Sequence, residues 1–444
     1  MLDMTQGKPS SLIIRFSIPL VAGNILQQCY NLVDSIVVGQ FVGKEALAAV
    51  GNSFIIIFLL NSLFMGIGMG ATILISQFFG AKQMDKLKAV VDTMYVAMVV
   101  GSIIVALVGF FLADPLLAMM KTPEGITFDW SSVYLKTIFI GTLASFGFNV
   151  NSAILQGLGD SKTSLLFLAI ATVVNIILDL LFVIILDWGV FGVAIATILA
   201  QLVAFIFGIW YINRKIKIIT IRLRGLDFDW AILNSSMKIG IPAGIQNAVF
   251  SLGTIALQRL INGYGPSFMA GYSAAGKIDS FAFMPIAGFS TAISTYVGQN
   301  MGAGQIERVK KGVTTTNLLS VGVCLCITAI ILPTAQSLMS IFSHETEVLE
   351  TGVQFLYRIM PLYFVLSLLY VTNAALRGTG ETLMPLLSLV VSVIIIRVPA
   401  AYIYDYFFGK YDIFWCYATG WILGVIPSLV SWYRGKWQNK RLVS

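Results

Sequence analysis

Four oxygen-bearing side chains interrupt long apolar stretches of the sequence: Asp34, Asn175, Asp179 and Thr197. Counted from the predicted outer ends of their stretches at 1.5 Å per residue, Asp34 lies about 7 Å deep and Asp179 about 10 Å deep. Thr197 comes out near the same level. Asn175 precedes Asp179 by four residues and therefore shares its helix face. Three helices would thus bring these oxygens to one depth.

Two chemistries fit this set of oxygens. Carboxylate, amide and hydroxyl oxygens are the ligands that a hard cation such as Na⁺ prefers. Two desolvated carboxylates that lie close together could instead bind protons. A third interpretation is that Asn175 and Asp179 only hydrogen-bond to neighbouring helices. Because two acids share one depth, we favour a site for Na⁺ or H⁺.

Three further charged residues lie deep in apolar stretches. They are Lys277 and Asp279, two positions apart, and Arg397. A charge at such a depth is costly, so each one needs a partner or a function. Positions i and i+2 of a helix do not face each other, so Lys277 and Asp279 neutralise each other poorly. We expect these residues to line a cleft or to pair between helices, as second-tier candidates for substrate contact.

The composition requires a membrane around this chain. Of 444 residues 57% are hydrophobic and only 11% are charged, and the mean hydropathy is +0.87. A membrane helix needs roughly 20 apolar residues, and such stretches recur along the whole chain. The pattern predicts an all-α membrane protein with twelve spans, and the alternating segments of a β-barrel do not fit. The predicted spans are 12–38, 47–75, 89–113, 132–155, 163–186, 190–211, 236–262, 268–296, 312–333, 353–376, 382–405 and 413–433.

The chain contains an internal repeat. Ser76–Lys88 recurs 222 positions later as Gly298–Lys310, and Leu155–Asp160 recurs 221 positions later as Leu376–Glu381. Six spans per half are an even number, so the repeats are parallel. We therefore predict two six-helix lobes around a central cleft, at 1–212 and 236–444, joined by a cytoplasmic linker at 213–235. Shorter matches at nearly the same spacing join Ile18-Pro19 to Ile241-Pro242 and Ala196-Thr197 to Ala418-Thr419.

The distribution of positive charge predicts the orientation. Most of the 28 Lys and Arg residues fall on one side of the predicted spans if the N-terminus is inside. We expect a multi-pass protein of the inner (plasma) membrane with cytoplasmic termini. The first span carries Pro19 and Asp34 and lacks a small-residue cleavage pattern, so we do not interpret it as a removable signal peptide. Pro19 interrupts this helix as either a hinge or a static kink.

Several functional classes lack their usual residues. The four cysteines are scattered without zinc spacing, and the single histidine, His344, falls in a predicted loop. A membrane-embedded enzyme would need a nucleophile, a base or a metal set, so we expect neither an enzyme nor a cofactor. No Gly-rich nucleotide-binding loop is present, which argues against ATP as the energy source. A channel would need pore-lining rings that the sequence does not display.

Five segments of the sequence form a recognisable set of motifs: Tyr30–Gly39, Glu45–Gly51, Gln77–Ala81, Gln156–Thr163 and Asn175–Asp179. With these motifs the chain resembles, over its whole length, the multidrug and toxic compound extrusion (MATE) transporters. The resemblance implies a pair of six-helix lobes that export amphipathic, often cationic compounds in exchange for Na⁺ or H⁺. It also implies that Asp34, Asn175, Asp179 and Thr197 form the ion site. Spans 236–262 and 353–376 contain no Asp or Glu, where some members carry acids.

We therefore expect a secondary antiporter that works by alternating access. Its expected partners are a small organic substrate and membrane lipids, without nucleic acid or nucleotide, and we expect a monomer. A flippase of lipid-linked or anionic substrates is the alternative, because that class has a related fold. Arg397 and Lys277 make the C-terminal lobe more positive than a pocket for simple cations requires, so an anionic or zwitterionic substrate stays open.

Overall fold

The computed structural model describes residues 1–120, 122–216, 219–221 and 225–442. Within these residues the chain forms helices, turns and loops, and no strand. Parts of the predicted linker, 217–218 and 222–224, lie outside the described residues. The α-helices are α1 (Pro9–Val37), α2 (Lys44–Gly80), α3 (Met84–Met119), α4 (Ile126–Ile140), α5 (Thr142–Gly157), α6 (Ser161–Asp179), α7 (Gly189–Lys215), α8 (Trp230–Asn262), α9 (Pro266–Gly302), α10 (Ile306–Ser340), α11 (Thr346–Ile359), α12 (Tyr363–Thr379), α13 (Leu383–Val390), α14 (Val398–Phe408) and α15 (Trp415–Arg434).

Each predicted span overlaps one helix or a consecutive set of helices. Among the described residues, ten helical runs are long and apolar enough to cross a membrane, and the bent pair of α4 and α5 adds an eleventh. The remaining prediction, span 47–75, falls within α2, which is 37 residues long. The prediction of an all-α, multi-pass membrane protein is confirmed.

Two predicted spans are broken rather than continuous. The axis bends by 53° between α4 and α5, where Gly141 separates the two helices. In the second half, a 3₁₀ turn at Met360–Leu362 separates α11 from α12. Pro361 lies in this turn and has no N–H to donate to the preceding helical turn. Glycine and proline are the usual sites of such breaks, and these two follow that rule.

Three π-helical segments extend or interrupt the helices. We call them π1 (Val38–Val42), π2 (Leu180–Ile185) and π3 (Val391–Arg397). The first follows α1, the second follows α6, and the third joins α13 to α14. A π-helical turn holds more residues than an α-helical turn, so it changes which side chains face a neighbouring helix, and such turns often lie at functional sites.

The chain forms two compact units, and each contains a helix start from the opposite half of the sequence. Unit 1 consists of Met1–Leu2 and Ala22–Gly244, and unit 2 consists of Asp3–Val21 and Ile245–Ser444. The start of α1 thus belongs to unit 2, and the start of α8 belongs to unit 1. The predicted lobe limits, 1–212 and 236–444, differ from these units at the two exchanged starts.

Close contacts hold each exchanged start in its unit. In unit 1, a Cβ added to Gly66 of α2 would lie only 2.2 Å from the carbonyl oxygen of Gly240 at the start of α8. In unit 2, the Met4 amide donates to Gln299 Oε1 at 2.8 Å, and Arg308 Nη2 donates to the Met4 carbonyl oxygen at 3.0 Å. These contacts are local to each unit and explain the exchange.

Candidate ion site and relatives

The acids predicted from sequence meet around one amide in unit 1. Asp34 lies near the end of α1, and Asn175 and Asp179 lie one turn apart near the end of α6. With its NH₂ group facing the carboxylates, Asn175 donates to Asp34 Oδ1 at 2.9 Å and to Asp179 Oδ2 at 3.2 Å. A single amide therefore bridges two carboxylates from different helices.

Burial means that the polar atoms of this cluster need bonding partners. Asn175 and Asp179 are fully buried, whereas Asp34 is partly buried. Asp179 Oδ1 is buried and has no hydrogen-bond partner within the part of the chain that the structure describes. Buried polar atoms without partners are rare in proteins, and each one calls for a ligand, a proton or a water. The donor set therefore fits a proton or a small hard cation, since it consists of carboxylate and amide oxygens around an unpartnered acceptor.

The local sequence sets the position of these side chains. Asp160 caps the start of α6, because its Oδ1 accepts the amide of Thr163 at 3.1 Å. The cap fixes where the helix begins and hence which face carries Asn175 and Asp179. The π2 segment begins directly after Asp179, so the acid sits where the helical repeat changes.

Thr197 joins the cluster through a tyrosine. The Tyr30 hydroxyl on α1 donates to Thr197 Oγ1 on α7 at 3.3 Å. Tyr30 precedes Asp34 by one helical turn and so shares its face. The structure thus places all four predicted residues in one region of unit 1, where Thr197 lies beside Tyr30.

Sequence reasoning missed two phenols near the acids. Tyr30 and Tyr134 both lie within electrostatic range of Asp34 and Asp179. Tyr134, on α4, is 8% exposed and belongs to an apolar cluster with Val37 and other residues of unit 1. The spacing of Tyr30 from Asp34 could have identified it, whereas no pattern in the sequence marks Tyr134.

The second-tier candidates lie in unit 2 and do not form one site. Asp279 Oδ1 accepts a hydrogen bond from the Tyr363 hydroxyl at 2.6 Å. Lys277 is exposed, and its Nζ lies 5.7 Å from the centre of the Phe342 ring. Arg397 is buried, with 4% of its surface exposed. Asp279 thus forms a hydrogen bond to α12, as a pairing between helices would require. Lys277 is exposed and lies beside an aromatic ring.

A duplicated set of membrane-crossing helices with acids buried inside it is typical of one class of proteins, the membrane transporters. Comparison with known proteins gives the family. The MatE family model matches residues 19–181 and again residues 242–403, so the chain belongs to the MatE family of multidrug efflux transporters. The double match also confirms the internal repeat.

Full-length relatives and a solved structure agree with this assignment. The chain is 30% identical over 440 residues to the probable multidrug resistance protein YpnP of Bacillus subtilis, covering 99% of this chain and 98% of the relative. It is 27% identical over 441 residues to the probable multidrug resistance protein NorM of Thermotoga maritima, covering 97% and 94%. The fold matches an outward-facing multidrug resistance MATE transporter with a TM-score of 0.91 at 23% identity, covering 98% of each chain.

Proposed function

We propose that this protein is an antiporter that exports small amphipathic organic compounds in exchange for Na⁺ or H⁺. The observation that carries the proposal is the buried cluster in unit 1, where Asn175 bridges Asp34 and Asp179 and leaves Asp179 Oδ1 without a partner. The names of the curated relatives, which are multidrug resistance proteins, support the substrate class.

The cluster couples ion binding to conformation through charge. Two carboxylates held by one amide repel each other, so the pair favours the arrival of a proton or a cation. Asp34 and Asp179 supply carboxylate oxygens, and the Asn175 amide orients them. Thr197 supplies a hydroxyl oxygen, which Tyr30 holds in place. An ion that binds one conformation more tightly than another shifts the population of the two.

Pro19 is the proposed hinge for this shift. It lies in α1 two residues before Val21, where the helix passes from unit 2 to unit 1. Pro242 lies two residues before the matching passage in α8, which follows Gly244. Proline removes one backbone hydrogen bond, so bending at these positions disrupts little additional structure.

We further propose an inner-membrane location with both termini in the cytoplasm, and a monomer as the working unit. The excess of Lys and Arg on one side of the spans supports the orientation. A flippase of lipid-linked or anionic substrates is the second candidate, and the buried Arg397 of unit 2 is the observation that favours it.

Efflux from proteoliposomes tests the proposal. Vesicles that contain wild type or Asp34→Asn would be loaded with a fluorescent organic cation and given a Na⁺ gradient or, separately, a pH gradient. We expect wild type to respond to one gradient and Asp34→Asn to neither. Equal gradient-driven efflux by both proteins would contradict a role for the cluster in coupling.

A further inference from the structure

At the spacing of the motifs that contain Thr197 and Thr419, Arg397 of the second repeat corresponds to Asn175 of the first. Thr197 and Thr419 are 222 positions apart in matching motifs, and the same separation joins Asn175 to Arg397. It also joins Asp179 to Ala401. The residue that bridges two acids in unit 1 is therefore matched by a cation in unit 2, and one of those acids is matched by an alanine.

Arg397 is buried, and among the described residues it has neither an ion-pair partner nor a hydrogen-bond partner for its Nε. The guanidinium lies on the Tyr417 ring, 4.5 Å from its centre, and 5.9 Å from the centre of the Phe250 ring. By contrast, Arg358 of the same unit pairs with Asp412 at 2.9 Å. Stacking on an aromatic face stabilises a guanidinium. It supplies no acceptor for the N–H donors, which lie in the plane of the guanidinium itself.

Two further donors without partners lie on the same two elements, Ser392 on π3 and Trp421 on α15. Ser392 Oγ and Trp421 Nε1 are buried and have no hydrogen-bond partner. Gly420 brings the two elements close, since a Cβ on it would lie 2.6 Å from the Ser392 carbonyl oxygen and 3.3 Å from Arg397 Cβ. The Trp421 ring neighbours the Tyr417 ring, with 6.1 Å between the ring centres. Three side chains that can donate thus lie on π3 and α15 without an acceptor in hydrogen-bond distance among the described residues.

Asp279 does not fill this role. It lies within electrostatic range of Arg397, but its Oδ1 accepts the Tyr363 hydroxyl and it forms no ion pair with Arg397. Asp279 therefore lowers the net charge of the region without satisfying the Arg397 donors. An oxyanion would satisfy them, because carboxylate and phosphate oxygens accept from guanidinium, hydroxyl and indole donors together.

We propose that unit 2 binds the anionic group of an aromatic amphiphile at Arg397, with Trp421 and Ser392 as further donors and Tyr417 as the stacking surface. This inference rests on the proposed function, because it names a substrate class for the same exporter. The oxyanion chemistry is shared by a carboxylate or phosphate on a soluble compound and by a lipid headgroup. We commit to the soluble aromatic anion, because rings surround the guanidinium.

Equilibrium binding to the full chain in phosphatidylcholine nanodiscs tests this proposal without any ion gradient. The probes are two xanthene dyes of similar shape and opposite charge, anionic fluorescein and cationic rhodamine 123, followed by fluorescence anisotropy. The variants are Arg397→Gln and Arg397→Lys. Arg259→Gln is the matched control, because Arg259 is an exposed arginine of α8.

We expect saturable fluorescein binding by wild type, a loss of roughly tenfold or more in Arg397→Gln, and a smaller loss in Arg397→Lys. Rhodamine 123 binding and the Arg259→Gln control should stay unchanged. Three results would overturn the proposal: no saturable fluorescein binding, unchanged binding in Arg397→Gln, or equal loss of both dyes in both Arg397 variants, which would indicate a structural role.

Two competition experiments separate the possible sources of the anion. Displacement of fluorescein by inorganic phosphate would support a site open to soluble anions. Loss of fluorescein binding in phosphatidylglycerol nanodiscs, without displacement by phosphate, would assign Arg397 to lipid headgroups and overturn the soluble substrate. Because binding is measured without a gradient, its failure would leave cation-coupled efflux intact, and a failure of coupling would leave this binding measurable.

Discussion

The two repeats of this transporter share helix geometry and differ in charge. In unit 1, Asn175 bridges two acids in a buried cluster. In unit 2, Arg397 occupies the matching sequence position, beside aromatic rings and without an ion pair. The helix break at Gly141 is matched by one at Met360–Leu362, whereas π2 and π3 lie at different positions of the repeat. Duplication has thus preserved one helix break, while the side chains at matching positions have diverged.

This difference teaches that the backbone alone does not determine what each half binds. A carboxylate pair requires a cation or a proton, and an unpaired guanidinium requires an anion. If both groups act in one transport cycle, the two units hold opposite charges for different purposes. Substitutions in the two units test this difference in charge.

The largest effect is expected from Asp179→Asn. This substitution removes the fully buried carboxylate whose Oδ1 lacks a partner, and it keeps the side-chain shape. Gradient-driven efflux should fall at least about a hundredfold, because an acid in direct contact with the ion matters more than a residue that only orients it. Efflux from proteoliposomes measures it, with Asp129→Asn, an acid of the first turn of α4, as the matched control. Retained gradient response would remove Asp179 from the ion site.

Asn175→Arg would make unit 1 resemble unit 2 at one position. The new guanidinium would lie between Asp34 and Asp179 and neutralise them as an ion pair, in place of the transported ion. The apparent ion affinity, obtained from ion-dependent thermal stabilisation, should fall about tenfold or more, while the protein stays folded. A thermal-shift titration with Na⁺ and with acid measures this change.

The reciprocal variant, Arg397→Asn, provides the comparison for that experiment. It should leave the ion response unchanged, because Arg397 belongs to unit 2 and the ion cluster to unit 1. An equal loss of ion response in both variants would mean that the two positions do not have separate functions.

A smaller effect is expected from Tyr30→Phe. The substitution removes only the hydroxyl that donates to Thr197 Oγ1 at 3.3 Å. Ion affinity should weaken by about two- to tenfold, the value of one ordinary hydrogen bond. Thr197→Val should produce a similar loss, and the double variant should add little to either one. Fully additive losses would show that the two side chains act independently.

The last comparison concerns stability rather than ion affinity, at the exchanged helix starts. Gly66→Ala would place a Cβ 2.2 Å from the Gly240 carbonyl oxygen, a backbone atom that cannot move by itself. At the matching position of α9, Gly288→Ala would meet a Val21 methyl group at 2.5 Å. We expect a loss of about 1–3 kcal/mol for Gly66→Ala and a smaller loss for Gly288→Ala. Thermal unfolding in detergent compares them, and equal losses would contradict this reading of the contacts.

Much of the fold could be predicted because hydropathy is a strong signal. Twelve apolar stretches and a repeat spacing of 222 positions are properties of the sequence itself. The depth of Asp34 and Asp179 followed from counting residues along ideal helices, and the structure places both acids against Asn175. Composition and residue counting were therefore enough to predict the spans and the common depth of the two acids.

The remaining features depend on packing that no local pattern encodes. Tyr134 lies within electrostatic range of the acids. It belongs to α4, which the sequence predicted as one continuous span with α5. The exchange of the starts of α1 and α8 depends on glycine contacts such as Gly66 with Gly240. The unsatisfied donors around Arg397 become visible only when π3 is packed on α15.

One measurement tests the opposite charge preferences of the two units most directly. Efflux of fluorescein and of rhodamine 123 would be followed in proteoliposomes under the effective ion gradient, with wild type, Asp179→Asn and Arg397→Gln side by side. We predict that Asp179→Asn loses the gradient response for both dyes, whereas Arg397→Gln loses efflux of the anionic dye alone. Identical losses for both dyes in both variants would contradict the division of function between the two units.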